Sequence, residues 1–296
     1  MQETIANTLQ TQFCTSPQIS IAKPSTLAVA VMRAVHQRLE HPLIFKDPLA
    51  LCLLGNTQTD MEEKLELHKN PLSTAIRISV ALRSQFAEDE RAKAWTLGIT
   101  QYVILGAGLD TYAYRSTNTQ EHVFEVDLPS TQTTKLALLN QARLRPTTSV
   151  TYVACDFEEN NLCRDLVVAG FNKNQPAFFS WLGVTPYLNL AAIEKTLSFI
   201  TQCAPGSQLV FDYIVDPLCL SDIERMALDI LSATLATTGE PLKSFFNPTM
   251  LAKKLNDIGF SKVDDIGCEY LNAHYLSQRE DGVQAGNVTR LFRVVV

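Results

Sequence analysis

The chain is poor in three features that would have settled its class at once. No apolar run approaches the roughly 18–20 residues that span a bilayer, so no membrane partner is expected. No cluster of lysine and arginine appears, and the formal net charge of −6 over 296 residues argues against a nucleic-acid partner. The seven cysteines (Cys14, Cys52, Cys155, Cys163, Cys203, Cys219 and Cys268) are odd in number and scattered, with no C-x-x-C pair. Disulfide frameworks and zinc sites need tighter patterns, so these read as reduced, mostly packed thiols, and no metal is expected. The opening MQETIANTLQTQFCTSPQIS lacks the basic start and apolar middle of a secretion signal. Together these absences point to a cytoplasmic location.

What is present is an ordinary globular composition, 46% apolar and 19% charged, enough to bury a large core. The first hundred residues read as helical. Leu27, Val31 and Val35 recur at helical spacing behind Pro24, a shorter helix runs from Pro48 to Gly55, and a long one from Leu72 to Leu97 is closed by Gly98. Short apolar runs follow at Tyr102–Leu105, Val123–Val126, Val150–Ala154, Ala177–Leu182, Leu209–Phe211, Lys262–Ile266 and Val288–Val296. Most are continuous rather than alternating, as in strands covered on both faces. Helical patterns separate them, including Leu190, Ile193, Leu197 and Ile200, and a helix opened by Asn247-Pro248. The expected fold is a doubly wound, mostly parallel α/β sheet of seven strands behind an N-terminal helical cap. One domain is expected over 1–296, with the cap at 1–98 and the core at 99–296. The last two strands should form a hairpin with one antiparallel member. Residues 216–244 interrupt the alternation and read either as a substrate lid or as an extra packing helix.

In such sheets ligands bind at the carboxyl ends of the strands. The residues found there are Gly106-Ala107-Gly108, then Asp127, Asp156-Phe157 and Asp212. The glycine turn lets a ligand approach the backbone. Thr111 occupies the third position of the G-x-G-x-x-G fingerprint, which counts against a pyrophosphate cofactor. Asp127 lies about twenty residues past Gly106, the distance at which an acid can accept from ribose hydroxyls; alternatively it caps the helix beginning at Pro129. Glu125 should point to the opposite face from Phe124 and Val126. Asp156 either accepts from an adenine amino group beside Phe157 or caps the next helix. Ile76, Val80, Arg83 and Ala87 share one helix face. A guanidinium on that stripe either clamps a carboxylate or pairs with Asp89 or Glu90.

The segments ALRSQFAED, YVILGAGLDTYAYR, FEVDLP, VACDFE, AGFNKNQPAFFSWLGVTPYL and GEPLKSFFNP, in this order between Thr74 and Gly259, resemble the leucine carboxyl methyltransferase family and its bacterial small-molecule O-methyltransferase branch. The resemblance implies a Rossmann-like methyltransferase sheet and S-adenosyl-L-methionine as cofactor. It implies Arg83 on the methionine carboxylate, Gly106 beside the methionine moiety, Asp127 on the ribose, and Asp156 with Phe157 at the adenine, with Lys23 or Arg33 also within reach. Two positions depart from the family pattern. Leu182 stands where members carry an acid near the cofactor's amino group, five residues before Tyr187, and Tyr112 replaces an arginine.

The expected reaction is O-methylation of a carboxylate or other acidic oxygen on a small molecule. An ionised carboxylate needs no base, whereas a phenol does. The five histidines sit in no motif, and Tyr187 reads either as a group that orients an acceptor oxygen or as a packed aromatic. Two other readings remain open here: a nicotinamide-dependent oxidoreductase on a similar sheet, and a catalytically silent nucleoside-binding protein.

Overall fold

The computed structural model describes residues 23–55, 63, 65–159 and 161–296. Cys14 and the opening twenty residues lie outside the described residues. Helix α1 (Pro24–Leu39) starts on proline, and α2 (Ala50–Leu54) stops at Gly55, whose φ of 59° is left-handed. Helix α3 (Pro71–Thr96) is capped by Asn70, whose side chain accepts from the Ser73 N–H. These boundaries fall within a few residues of those read from the sequence.

Seven strands follow: β1 (Gln101–Leu105), β2 (His122–Asp127), β3 (Ser149–Ala154), β4 (Ala177–Trp181), β5 (Gln208–Ile214), β6 (Lys262–Ile266) and β7 (Thr289–Val295). They form one sheet in the order β3-β2-β1-β4-β5-β7-β6. Strands β1 to β5 pair in parallel, whereas β7 runs antiparallel to both β5 and β6. The closing hairpin therefore has one antiparallel strand, as expected, but β7 inserts between β5 and β6. The strand order reverses between β1 and β4, which opens a crevice at their carboxyl ends.

Alternate residues of each central strand feed two separate cores, which is why the runs are continuously apolar. Val103, Leu105, Phe124 and Val126 pack with residues of α6 (Leu162–Val168), α7 (Leu190–Ile200) and α9 (Pro248–Asp257). Tyr102, Ile104 and Val123 pack on the other face with α1, α3, α4 (Tyr112–Arg115) and α5 (Pro129–Gln141). Glu125 lies on this second face, as its alternation required. It is buried against Lys135 and takes no part in the crevice.

The six described cysteines are all free. Cys155 and Cys203 are buried, but Cys52, Cys163 and Cys219 are exposed. The expectation of mostly packed thiols is thus corrected: these three lie on outward positions of their segments, where scattered spacing gave no signal.

His36 fastens α1 to the segment behind it. Its Nε2 accepts from the Ile44 and Phe45 N–H groups at 3.2 Å each, so that nitrogen must be unprotonated. Burial, opposed by Glu40, pushes the imidazole down to about 4. A base with a depressed folded pKa binds its proton more weakly in the folded than in the unfolded chain. Stability is therefore lost as pH falls from about 6.5 towards 4, by at most about 3 kcal/mol. Denaturant titrations at pH 7 and pH 5 should show this loss in the wild type and a smaller one in His36→Gln. Equal pH dependence in the two proteins would contradict it.

Candidate functional site

The carboxyl ends of β1, β2, β3 and β4 open into one cavity of about 590 Å³, roofed by α1, α3 and the segment after β5. Its volume lies within the roughly 300–1,000 Å³ of small-molecule sites. Arg83, Gly106, Asp127, Asp156, Phe157 and Tyr187 all line it.

The floor begins at Gly106, which has φ of 71° and packs so closely that an added Cβ would lie 2.2 Å from the Val184 side chain. Only glycine meets both conditions, and Val184 packs directly on the backbone of the turn. Asp127 closes the next strand and accepts from the Gly108 and Leu128 N–H groups, both at 2.7 Å. Burial pushes its carboxyl above the usual value, while those two donors oppose the shift. Leu128, not Asp127, is the N-cap residue of α5, so Asp127 links the glycine turn to its own strand end rather than capping that helix. Asp156 likewise does not cap α6, whose N-cap is Asn161. Its Oδ1 accepts from the Glu158 N–H at 2.9 Å in a local turn. Phe157 sits at the mouth of that turn, tilted against Trp181 with 5.8 Å between centroids.

Arg83 pairs with neither acid on its own helix. Its Nη1 donates to Asp212 on β5 at 2.7 Å, while Glu90 engages Lys93 and Arg293, and Asp89 engages Gln85 and Tyr275. The guanidinium lies over Gly183, whose own N–H donates to Asp212 Oδ1 at 2.6 Å. Ile76, Val80 and Ala87 accompany Arg83 along the cavity wall, so the shared helix face is the face toward the crevice. Leu182 lines the cavity too and brings no charge to it.

Of the two N-terminal cations, Arg33 is 7% exposed and bound between Asp47 and Asp110, at 2.9 and 2.7 Å. It holds α1 to the glycine turn. Lys23 is exposed at the cavity rim. Tyr112 is buried edge-on against Tyr102 with its hydroxyl on Glu121, so the arginine's replacement became core. Thr111 uses its hydroxyl on Asp47 at 2.7 Å.

The segment 216–244 holds α8 (Asp222–Thr237), opened by a capping box of Ser221 and Glu224. Leu228 is its one buried residue, whereas Ile223, Ala227, Leu231 and Leu235 face the cavity. Beyond it, both carboxylate oxygens of Glu240 accept from Ser25, one from the N–H at 2.7 Å and one from the hydroxyl at 2.8 Å, tying this segment to the start of α1. Sequence reasoning missed the contact of Glu240 with Ser25 and that of Asp212 with Arg83, since each joins residues more than a hundred positions apart. The Tyr187 hydroxyl is pushed up to about 12 by burial and by Glu240. It is a hydrogen-bond donor at neutral pH and not a base.

A family model described as leucine carboxyl methyltransferase matches residues 26–201. A Bacillus subtilis protein, YktD, assigned by name to the S-adenosyl-L-methionine-dependent methyltransferases, is 29% identical over 88% of this chain and 93% of its own length. A Mycolicibacterium paratuberculosis protein of the same assignment is 32% identical over 71% of each chain. Among solved structures, a Thermobifida fusca protein assigned as a methyltransferase aligns with TM-score 0.54 at 21% identity, over 82% of this chain and 91% of that one. A Streptomyces avermitilis protein of the duf574 family aligns with TM-score 0.56 at 12% identity, over 82% and 94%. At these identities the two structures show the fold.

The close approach of Arg83 to Gly183 has a direct consequence. Gly183 has φ of 71°, and a Cβ there would lie 2.6 Å from Arg83 Nη2. Gly183→Ala should cost at least about 1–2 kcal/mol from the left-handed backbone alone, read as a lower denaturation midpoint. An unchanged midpoint would contradict the geometry.

Proposed function

Because the chain belongs to the leucine carboxyl methyltransferase family, we propose that it is an S-adenosyl-L-methionine-dependent O-methyltransferase acting on a carboxylate or other acidic oxygen of a small molecule. One observation carries the reading: Arg83, Gly106, Asp127, Asp156 and Phe157, widely separated in sequence, line a single cavity at the switch point of the sheet. When bound, the cofactor supplies an electrophilic methyl group.

The residues suit that ligand in kind. Asp127 offers acceptor oxygens to ribose hydroxyls, and Gly106 lines the cavity in a left-handed turn that only glycine takes without strain. Asp156 and Phe157 offer an acceptor and a ring face to the adenine. Arg83 donates one recorded hydrogen bond among the described residues and has further N–H groups for a carboxylate. Lys23 is available at the rim, whereas Arg33 is committed to Asp47 and Asp110.

On the acceptor side Tyr187 can donate to an oxygen but cannot deprotonate it, which supports an acceptor that arrives ionised. The apolar face of α8 and the Glu240–Ser25 bonds support a lid over an acceptor with an apolar body. We read the cap, core and lid as one methyltransferase domain. The free thiols among the described residues support a cytoplasmic location.

S-adenosylhomocysteine at about 100 times its dissociation constant should stabilise the protein by roughly 2.7 kcal/mol, with no shift from NAD. Stabilisation by NAD alone would favour the oxidoreductase reading. Asp127→Ala should reduce affinity for S-adenosylhomocysteine at least about tenfold, while unliganded stability falls by no more than roughly 1–3 kcal/mol. Calorimetric binding beside a denaturation curve separates the two effects. A collapsed fold with unchanged affinity per folded molecule would make Asp127 structural.

A further inference from the structure

The amino-acid end of the proposed cofactor carries a carboxylate and an ammonium, so its site needs one buried partner of each sign. Arg83 provides the cation. The anion does not come from the position just after β4, where Leu182 is apolar, but from the next strand. Asp212 on β5 is 1% exposed and lines the cavity. Its Oδ2 accepts from Arg83 Nη1 and its Oδ1 from the N–H of Gly183, the residue that follows Leu182. The acid is therefore fixed against the backbone at the position where the side chain supplies no charge.

Each oxygen of Asp212 has a single recorded donor among the described residues, and a carboxylate has about four acceptor sites in all. Among the acids that line the cavity, Asp212 is the one bonded to Arg83. Asp110 and Glu88 are held by Arg33 and Arg115, Glu240 by Ser25, Glu224 by Ser221 and Asn287, and Glu158 by Lys243 and Asn189, while Asp127 and Asp156 are the acids proposed for the ribose and the adenine. We propose that Asp212 receives the cofactor's ammonium while Arg83 holds the neighbouring carboxylate. The zwitterion meets the ion pair head to tail, and all four charges stay compensated in a buried site. This assignment rests on the S-adenosyl-L-methionine reading and adds to it a residue that compensates for Leu182.

The test compares S-adenosylhomocysteine with its analogue lacking the α-amino group but keeping the carboxylate, by calorimetry on the full chain. The wild type should bind the amino ligand at least about tenfold more tightly. Asp212→Asn should lose most of that preference while keeping the wild type's affinity for the desamino analogue. Equal losses for both ligands would overturn the assignment, because Asp212 would then act only by positioning Arg83. The wild-type comparison stands even if the variant fails to fold: a preference for the amino ligand supports an acid at the ammonium, and equal affinity overturns it. Binding of neither ligand would remove the cofactor reading and this assignment with it, a result distinct from equal losses.

Discussion

Buried and half-buried ion pairs tie the N-terminal helices to the carboxyl side of the sheet and hold the cavity together. Arg33 on α1 joins Asp47 to Asp110, Arg83 on α3 reaches Asp212, and Arg115 beyond the glycine turn binds Glu88 on α3. Removing one member of the fully buried Arg33–Asp47 pair leaves an uncompensated buried charge, at a cost of about 3–5 kcal/mol, and the half-buried pairs contribute less. The roof is therefore fixed to the floor by contacts with defined geometry. Apolar packing alone would give cohesion but no unique register between helix and loop.

That arrangement explains how the sheet's polarity produces a cavity lined with polar groups. Parallel strands deliver the backbone turn at Gly106 and the acids at Asp127, Asp156 and Asp212 to one edge, and α1 and α3 close over that edge. Asp127 is held by two backbone N–H groups, and Asp212 by one backbone N–H and Arg83. Such acids keep acceptor capacity for a ligand. A cavity with these acceptors and one partly free guanidinium suits a ligand that is cationic at one point and zwitterionic at its end.

Much of this was legible in the sequence because it is local. Continuous apolar runs fixed the strands, and their alternation put Glu125 on the face where Lys135 neutralises it. Helical spacing put Arg83 on the face that lines the crevice. What escaped was pairing across long separations. Arg83 had two acids within reach on its own helix, yet its partner is Asp212, 129 residues away. No spacing rule reports such a contact, since it is created by α3 lying across the ends of β4 and β5. The insertion of β7 between β5 and β6 was hidden for the same reason: a strand's run gives its existence and burial but not its neighbours. The capping alternatives for Asp127 and Asp156 were also open, because an acid before a helix reads the same whether it faces the helix or the cavity.

The most direct measurement is a crystal structure of the protein with S-adenosylhomocysteine. The account predicts the ribose hydroxyls on Asp127, the amino-acid carboxylate on Arg83 and the adenine between Asp156 and Phe157. A ligand bound outside this cavity, or bound in it with Asp127 turned away from the ribose, would contradict it.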